Sequence, residues 1–446
     1  MKISPARTGA FDILARIEGE NAFSSILLPQ VTAMLSDADR GLCYELVLGS
    51  LRRQIFLDAV ISHFAGEKKL DPEVRIALRL GLFQVIFLGR IPAHAAINES
   101  VNLVLRSRKS SARGFVNAIL RKASAEIPDL KFEDPILKVS VTTSHPEWLV
   151  SKWVADFGFE VAAAICNANN EQVSPAFRLT AKYFAEFGRS DAGIEKICSD
   201  LGLKIGSIRE SGLVADCYFA DEGRKQLRLA ADRGYVYFQD AGSQLVANYV
   251  QLRSGGSLLD LCAAPGGKVT SIAAAGGTSN STFVAADVSK SRVSNLKATC
   301  TRQGLETVNV LQLDATQELP FSDGCFDTVL VDAPCTGTGT IRHNPEIRYR
   351  VNSEDIQAKH EKQRRILENA SKAVKVGGSL IYATCSLERE ENEDVVSSFL
   401  TGNKRFALRK PNAPEQFIQE TGDLRTFPSE FEGDGFFMAT FTRSDE

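Results

Sequence analysis

The chain has 446 residues, of which 44% are hydrophobic and 24% are charged, and its formal net charge at pH 7 is −3. This length exceeds what one hydrophobic core supports, so we expect two or three domains in an ordinary soluble protein. No apolar run reaches the roughly 18 residues that a membrane span needs, and the first residues lack the core of a signal peptide.

Cysteine and histidine usage bounds the chemistry of the chain. Nine cysteines and five histidines are scattered without a Cys-x-x-Cys pair. This distribution argues against a structural zinc site, and the odd number of cysteines argues against a complete disulfide framework. We therefore predict no bound metal and a reducing cytoplasmic location, in which a thiolate would stay unoxidised.

The charge is unevenly distributed along the chain. Residues 1–140 carry 19 Lys and Arg against 15 Asp and Glu, a balance of +4, whereas the remainder carries 33 against 40, a balance of −7. A mildly basic N-terminal region is compatible with a polyanionic partner but does not require one.

The N-terminal region, residues 1–135, is predicted to be a bundle of helices. Apolar residues recur at helical spacing, and proline-containing breakers separate the stripes. The predicted helices cover residues 10–17, 42–51, 74–86, 95–104 and 111–124.

The middle region, residues 140–235, is predicted to be a small α+β module. A helical pattern covers residues 144–170, and short strand-like runs follow at 176–180 and 213–219 with a helix at 191–201 between them. A linker containing Pro128 and Pro135 precedes this module.

The C-terminal region, residues 236–446, alternates strand-like runs with helical patterns. This alternation predicts a doubly wound, mostly parallel sheet, whose ligands bind at the carboxyl ends of the strands. The predicted strands are residues 257–261, 282–286, 309–313, 328–331, 379–383 and 436–442.

A glycine-containing loop follows the first of these strands and is typical of a cofactor site. It runs from Cys262 through Gly266 and Gly267 to Lys268 and leads into a helix. The two glycines are expected to let the backbone approach a ligand, and amide groups at the helix start can face a carboxylate. Cys262 and Val269 stand where a P-loop needs Gly and Ser or Thr, and a GxGxxG pattern is absent.

Three acidic residues end three successive predicted strands. They are Asp260, Asp287 and Asp314. Asp287 can bind ribose hydroxyls and Asp314 can accept a hydrogen bond from an adenine amine, which favours a cofactor that contains adenosine. The alternative is that each acid only caps the helix that follows it.

Two cysteines follow two later strands, and they indicate the reaction. Cys335 lies in Asp332-Ala333-Pro334-Cys335, and Cys385 lies in Thr384-Cys385-Ser386. Carbon 5 of a pyrimidine becomes nucleophilic only after a thiolate adds to carbon 6, so cysteines in such positions favour methylation of that carbon. The residues alone leave open which of the two thiols attacks.

These motifs resemble those of the RNA cytosine-5 methyltransferases, and the N-terminal region resembles the NusB-like domain of the RsmB (Sun, Fmu) branch. The C-terminal similarity lies in residues 261–268, 332–339 and 384–386, and the N-terminal similarity lies in residues 91–101 and 114–121. The resemblance implies a NusB-like helical bundle, a linking module and a Rossmann-like class I methyltransferase domain.

The same resemblance implies an S-adenosylmethionine-dependent enzyme that methylates carbon 5 of a cytosine in 16S ribosomal RNA, cytosine 967 in that branch. Cys385 would be the covalent nucleophile, Cys335 would assist release of the product, and Asp332 would hydrogen-bond the cytosine ring. A monomer without a membrane partner is expected. The implied cofactor site consists of Cys262, Ala263, Ala264, Pro265, Gly266, Gly267, Lys268, Asp287, Asp314 and Asp332.

Several further residues carry expectations about RNA. Arg342, His343, Arg348 and Arg350 are expected to contact phosphates, and Arg364 and Arg365 either do so or line a solvated helix face. Phe436 is either a platform for the base or part of the core. The acids within 388–393 predict a helix N-terminus. Arg178 is given no specific contact, because Thr180 replaces the asparagine of the family's Arg-x-Asn pattern.

Two alternative functions remain. The first is a cytosine-5 methyltransferase with the same site that acts on tRNA or another RNA. The second is a non-catalytic RNA-binding factor that uses the helical region, against which the intact cofactor loop and both cysteines argue.

Overall fold

The computed structural model describes residues 3–20, 22–66, 68–188, 193–275 and 280–445. Two units are distinguished by their internal packing. The helical unit comprises Met1–Glu171 and Ile341–Arg350, and the sheet unit comprises Gln172–Thr340 and Val351–Glu446. Among the described residues, no helix combines the length and apolar character that crossing a bilayer requires.

Among its described residues, the helical unit begins with ten α-helices. Helices α1 to α7 confirm the predicted all-α N-terminal region, and α8 to α10 follow them in the same unit. The helices are α1 (Pro5–Glu20), α2 (Ser24–Thr32), α3 (Asp37–Arg52), α4 (Gln54–Ala65), α5 (Pro72–Phe87), α6 (Ala93–Arg106), α7 (Arg113–Ala125), α8 (Pro135–Thr143), α9 (Glu147–Phe157) and α10 (Phe159–Ala168).

The core of the helical unit forms where the apolar stripes of α1, α3, α5 and α7 meet. Ala10, Leu46, Leu78 and Leu120 are all fully buried there. A Cβ atom on Gly49 would lie 1.9 Å from the ring of Phe83, so α3 and α5 pack this closely only because position 49 has no side chain.

The sheet unit begins with a four-stranded antiparallel sheet in the order β2-β3-β1-β4. The strands are β1 (Ala176–Leu179), β2 (Ile208–Glu210), β3 (Tyr218–Ala220) and β4 (Val236–Phe238), and the helices are α11 (Ala181–Phe187), α12 (Ile194–Leu201) and α13 (Arg224–Arg233). This arrangement is a split βαβ topology. Most of the predicted strand 213–219 is instead a turn that precedes β3, and the predicted helix start at Asp191 lies outside the described residues.

The large sheet contains all six predicted strands and two short ones, β10 and β11, that the sequence analysis did not predict. The strands are β5 (Ser257–Asp260), β6 (Thr282–Asp287), β7 (Asn309–Gln312), β8 (Phe326–Asp332), β9 (Val374–Thr384), β10 (Phe406–Leu408), β11 (Leu424–Thr426) and β12 (Phe436–Arg443). The remaining helices are α14 (Ala241–Asn248), α15 (Gly267–Ala274), α16 (Lys290–Arg302), α17 (Ile347–Arg350, in the helical unit), α18 (Ser353–Ala373) and α19 (Glu393–Gly402).

The strand order β10-β12-β9-β8-β5-β6-β7, with β11 paired to β12, is that of a doubly wound sheet. Strands β5 to β9 pair in parallel, whereas β12 runs antiparallel to β9. The order of the chain reverses between β5 and β8, and this switch point is where such sheets bind ligands. The predicted mostly parallel sheet is therefore confirmed.

The segment Ile341–Arg350 leaves the sheet unit and is buried in the helical unit. The terminal nitrogens of Arg348 donate to the carbonyl oxygen of Thr143 at 3.1 Å, the side-chain oxygen of Asn170 at 3.0 Å and the carbonyl oxygen of Asn169 at 3.4 Å. We call this group of contacts the arginine cluster. Burial lowers the pKa of Arg348 to about 10, so its side chain stays charged at neutral pH.

The other arginines of this segment are also used inside the helical unit. Arg342 is 2% exposed and donates to the carbonyl oxygen of Ala168, and Arg350 donates to the carbonyl oxygen of Ile17. The prediction that Arg342 and Arg348 contact RNA phosphates is therefore wrong, because both guanidinium groups are withdrawn from solvent.

Candidate active site

The carboxyl ends of β5, β6, β8 and β9 surround a cavity of about 420 Å³ in the sheet unit. Seven predicted site residues line it: Cys262, Lys268, Asp287, Asp314, Asp332, Cys335 and Cys385. The predicted residues Ala263, Ala264, Pro265, Gly266 and Gly267 belong to the same loop but are not among the described residues that line this cavity. The volume is in the range of small-molecule sites.

The glycines of the loop have a use in packing beyond the one predicted. Gly266 has φ +110°, a backbone conformation that favours glycine, and a Cβ atom there would meet Leu296 and Thr299 of α16 at 3.0 and 3.2 Å. A Cβ atom on Gly267 would meet Gln239 and Tyr237 at 3.3 Å. At both positions a side chain would press against neighbouring protein groups, so packing alone already favours glycine there, and the approach of a ligand to this backbone stays a prediction.

The strand-end acids do not cap the helices that follow them. The N-cap residue of α15 is Gly266, and that of α16 is Ser289, whose hydroxyl accepts from the backbone of Arg292. Asp287 is 3% exposed, accepts from the backbone nitrogen of Ser289 at 3.0 Å and pairs with Arg292 at 3.3 Å. The capping interpretation is thus not observed for Asp260 or Asp287.

Asp314 differs from Asp287 in its exposure. Its carboxylate is exposed and accepts from the backbone and hydroxyl of Thr316, and these hydrogen bonds lower the pKa of Asp314. Both Asp287 and Asp314 border the cavity, so two carboxylates of different solvent access lie at neighbouring strand ends.

The two cysteines meet because β8 and β9 are adjacent parallel strands, with Asp332 paired to Ala383. The Sγ atoms of Cys335 and Cys385 lie 3.2 Å apart, and both residues are half-buried. We call them the thiol pair. The hydrogen bond to Cys385, followed by burial, raises the pKa of Cys335, so Cys335 holds its proton.

The carboxylate of Asp332 forms an ion pair with Lys268, and the distance from its Oδ2 to the lysine Nζ is 2.8 Å. Burial acts to lower the pKa of Lys268, but Asp332 outweighs it and the pKa is raised, which keeps the ammonium charged. Burial and the neighbouring charge of Asp332 raise the pKa of Asp260 to about 8. The sequence motif places Lys268 in the cofactor loop but does not predict this ion pair.

Phe436 is a core residue that borders the cavity. It is 5% exposed and packs in the same cluster as Met438, and the Nζ of Lys268 lies 5.0 Å from its ring centroid. The geometry therefore favours the core interpretation, since one face of the ring is covered by the lysine.

Arg178 connects the small sheet to the cofactor loop, a role that the sequence analysis missed. Its guanidinium donates to Thr270 Oγ1 at 2.7 Å, to the carbonyl oxygen of Gly267 at 3.1 Å and to Gln239 Oε1 at 2.9 Å. An arginine inside the apolar run of β1 is the one local signal of such a buried polar contact.

The acids at 388–393 only partly form the predicted helix N-terminus. Glu393 lies in the first turn of α19, but Glu388 and Glu391 are fully buried before it. The prediction is wrong for these two, because both precede α19, and Glu391 is bonded instead to Thr336 and Gln363 from other parts of the chain. Arg364 contacts Glu361 and Glu368 on its own helix at 3.5 Å, as expected for a solvated face.

Comparison with protein families gives two matches that together span most of the chain. Residues 247–442 match the model of the 16S rRNA methyltransferases RsmB/F, and residues 4–125 match that of the NusB family. These matches confirm the predicted fold class for the N-terminal and C-terminal regions.

Curated relatives align along the full length. A Bacillus subtilis protein named probable ribosomal RNA small subunit methyltransferase B is 34% identical over 99% of this chain and all of the relative. A Pseudomonas putida protein named ribosomal RNA small subunit methyltransferase B is 31% identical over 98% of each chain.

Solved structures share the architecture. The crystal structure of PH0851 superposes with a TM-score of 0.80 at 25% identity and covers 99% of this chain and all of that one. The crystal structure of NSun6 from Pyrococcus horikoshii with SFG superposes with a TM-score of 0.56 at 22% identity, covers 68% of this chain and 99% of that one, and supports the fold alone.

Proposed function

The chain belongs to the RsmB/F family of S-adenosylmethionine-dependent 16S rRNA methyltransferases, and from this premise we propose that it methylates carbon 5 of a cytosine in 16S rRNA through a covalent cysteine–cytosine intermediate. The observation that carries the proposal is the thiol pair, 3.2 Å apart beside the carboxylate of Asp332. Methylation of an exocyclic amine or a ribose oxygen requires no thiol, whereas activation of carbon 5 does.

The cavity fits the proposed cofactor. Its volume of about 420 Å³ and the buried carboxylate of Asp287 at the end of β6 suit an adenosine-containing ligand. We propose that Cys262–Lys268, Asp287, Asp314 and Asp332 hold S-adenosylmethionine. When bound, this cofactor supplies an electrophilic methyl group.

In the proposed reaction, the Cys385 thiolate forms a bond to carbon 6, and the electron pair of the 5,6 double bond moves to carbon 5. Asp332 hydrogen-bonds to the cytosine ring, and Lys268 holds that carboxylate in place. After carbon 5 has gained the methyl group, a water molecule acting as base takes its hydrogen as a proton. The electron pair of that carbon–hydrogen bond re-forms the 5,6 double bond and expels the sulfur of Cys385.

The raised pKa of Cys335 supports this division of roles. A nucleophile must be a thiolate, and the raised pKa of Cys335 makes it the poorer candidate for attack. The protonated Cys335 can instead give its proton to the departing sulfur of Cys385, which lies within hydrogen-bonding distance.

Substitution of each cysteine tests these roles. We expect Cys385→Ala to lower transfer of labelled methyl groups to 16S rRNA by about a thousandfold or more. Cys335→Ala should instead trap an RNA–protein adduct that persists on a denaturing gel. The control is Cys325→Ala, because Cys325 lies outside the cavity. This variant should neither lower methyl transfer nor trap an adduct. Full turnover by Cys385→Ala would refute the assignment.

The substrate is tested separately. Bisulfite sequencing of 16S rRNA from a deletion strain should show one cytosine that has lost its modification. If the chain acts as the RsmB branch does, this cytosine is at position 967. Loss of a modified cytosine in tRNA alone would favour the first alternative. Unchanged RNA, together with no binding of S-adenosylmethionine to the purified protein, would favour the non-catalytic one.

A further inference from the structure

The carboxylate of Glu391 is fully buried beside the loops that carry the thiol pair. It accepts hydrogen bonds from the backbone nitrogen of Thr336 at 3.0 Å and from the hydroxyl of the same residue. It also accepts from the hydroxyl of Ser386 at 2.5 Å and from the side-chain amide of Gln363 at 3.0 Å. These four donors occupy the acceptor positions of the Glu391 carboxylate.

The partners of Glu391 are the residues that follow the two cysteines. Thr336 directly follows Cys335, and Ser386 directly follows Cys385. Because one side chain bonds to both residues, it connects the loop after β8 to the loop after β9. A change in its length or charge therefore acts on the separation of the two sulfur atoms, which is 3.2 Å.

The turn that carries Glu391 is itself held to β9. The hydroxyl of Tyr382 donates to the carbonyl oxygen of Glu391 at 2.6 Å. The neighbouring Asn392 donates to the carbonyl oxygen of Ser386 at 2.9 Å and accepts from the hydroxyl of Thr384 at 2.6 Å. These bonds on both sides fix the position of the carboxylate relative to the thiol pair.

The charge of Glu391 is not required for the connection alone. Its four hydrogen-bond donors are neutral groups, and a buried carboxylate costs more free energy than an amide of the same size. Burial raises the pKa of Glu391, whereas its hydrogen bonds lower it. A glutamine could still reach both loops, because the hydroxyls of Thr336 and Ser386 can turn and accept from its amide nitrogen, so the negative charge needs a separate reason.

We propose that Glu391 is a positioning residue that fixes the thiol pair and, through its negative charge, keeps the proton on Cys335 so that Cys385 is the attacking thiolate. This inference deepens the proposed function and rests on it. A second negative charge on Cys335 would lie close to the carboxylate, whereas the protonated thiol avoids that repulsion.

The environment of Cys335 agrees with this role. Its pKa is raised by the hydrogen bond to Cys385, by burial, by the charge of Cys385 and by the charge of Glu391. Other titratable groups face the same cavity or its walls, and they are unchanged in a variant of Glu391. They are Asp240, Asp260, Cys262, Lys268, Asp287, Arg292, Asp314, Asp332, Lys362, Tyr382 and Asp434.

Alkylation of the cysteines by iodoacetamide tests the inference on the purified full chain without RNA. The rate of alkylation at Cys335 and at Cys385 is measured by mass spectrometry at several pH values from 6 to 10. Each rate is taken from the early part of the reaction, while most of the protein is still unmodified. We expect Glu391→Gln to move the Cys335 profile to lower pH by about one unit, which means about tenfold faster alkylation at a pH below the midpoint.

Two further variants separate charge from shape. Glu391→Asp keeps the charge and should leave the Cys335 profile near that of the parent protein. Asp394→Asn removes an exposed carboxylate three residues away and should leave both profiles unchanged. If Glu391→Gln and Glu391→Asp have the same Cys335 profile as the parent, the inference is refuted, even if methylation falls.

The methylation assay gives the second readout. Glu391→Gln is expected to lower kcat by about tenfold or more while the KM for S-adenosylmethionine changes less than about twofold. An unchanged kcat would also refute the role. Failure of the proposed function is distinguishable, because a parent protein that methylates no cytosine would still give the two alkylation profiles.

Discussion

The arginine cluster of the helical unit and the strand-end cavity of the sheet unit both bury charged groups, but they surround them differently. Arg348 meets neutral oxygens, those of Thr143, Asn169 and Asn170 among them. Behind the cavity, at the end of β5, the fully buried Asp260 instead lies near the like charge of Asp332, and its Oδ2 atom has no hydrogen-bond partner among the described residues.

This difference separates a structural use of charge from a chemical one. The neutral acceptors around Arg348 leave it a cation at neutral pH. Burial, followed by the neighbouring charge of Asp332, raises the pKa of Asp260 to about 8, within reach of neutral pH. A perturbed acid beside the lining of a cavity is a usual mark of a functional site, whereas a buried cation on carbonyl oxygens is a mark of packing.

The largest effect is expected when the arginine cluster is disrupted. Arg348→Met leaves several buried oxygens without donors and should lower the free energy of unfolding by about 3 kcal/mol or more. Urea unfolding followed by tryptophan fluorescence measures this, because the two tryptophans of the chain, Trp148 and Trp153, both lie in the helical unit. Arg364→Met, on the solvated face of α18, is the control and should change it by less than about 0.5 kcal/mol. Equal effects would contradict the structural role.

An intermediate effect is expected from the carboxylates that we assign to the cofactor. Asp287→Asn should weaken binding of S-adenosylmethionine by about 10- to 100-fold, since a hydrogen bond to a buried charged group is worth about 1.5–3 kcal/mol. Asp314→Asn should have a smaller effect, because its carboxylate is exposed and already bonded to Thr316. Isothermal titration calorimetry measures both, and an equal or reversed order would contradict the assignment.

The smallest effect concerns the pH dependence of stability. Asp260 has a pKa of about 8 in the folded chain and near 3.8 when unfolded, so between these values the folded state holds a proton that the unfolded state lacks. The free energy of unfolding should therefore fall by about 1.4 kcal/mol per pH unit as the pH rises. Asp260→Asn should remove this contribution between pH 6 and 7.

Urea titrations at several pH values measure that slope. The control is Asp327→Asn, because the Asp327 pKa is lowered to about 2 in the folded chain and its contribution changes only in acid. The interpretation of Asp260 fails if the parent protein and Asp260→Asn have the same slope between pH 6 and 7.

Local sequence was sufficient for much of the fold. Apolar runs that end in an acid predicted β5 and β6, and both strands are present. The strands β10 and β11 were missed because three residues are too few to show an alternating pattern. The motifs also predicted the thiol pair and the carboxylates that the structure places around one cavity.

Burial of charge was the part that local sequence did not predict. Arg348 follows a reactive loop and has the pattern of a phosphate contact, and Glu391 lies in an acidic run typical of a helix start. Both are fully buried, because their partners come from distant parts of the chain, such as Asn169 for the first and Thr336 for the second. Only the tertiary structure brings such partners together.

The excursion of Ile341–Arg350 has a consequence for biosynthesis. The acceptors of Arg348 in α8 and after α10 are translated by residue 170, but the arginine itself follows 178 residues later (348 − 170). At roughly 5–20 residues per second, the ribosome needs about 10–35 s to supply it. During that interval the acceptor oxygens in the nascent N-terminal region lack their arginine donor. A protein truncated after Glu171 would lack this donor permanently.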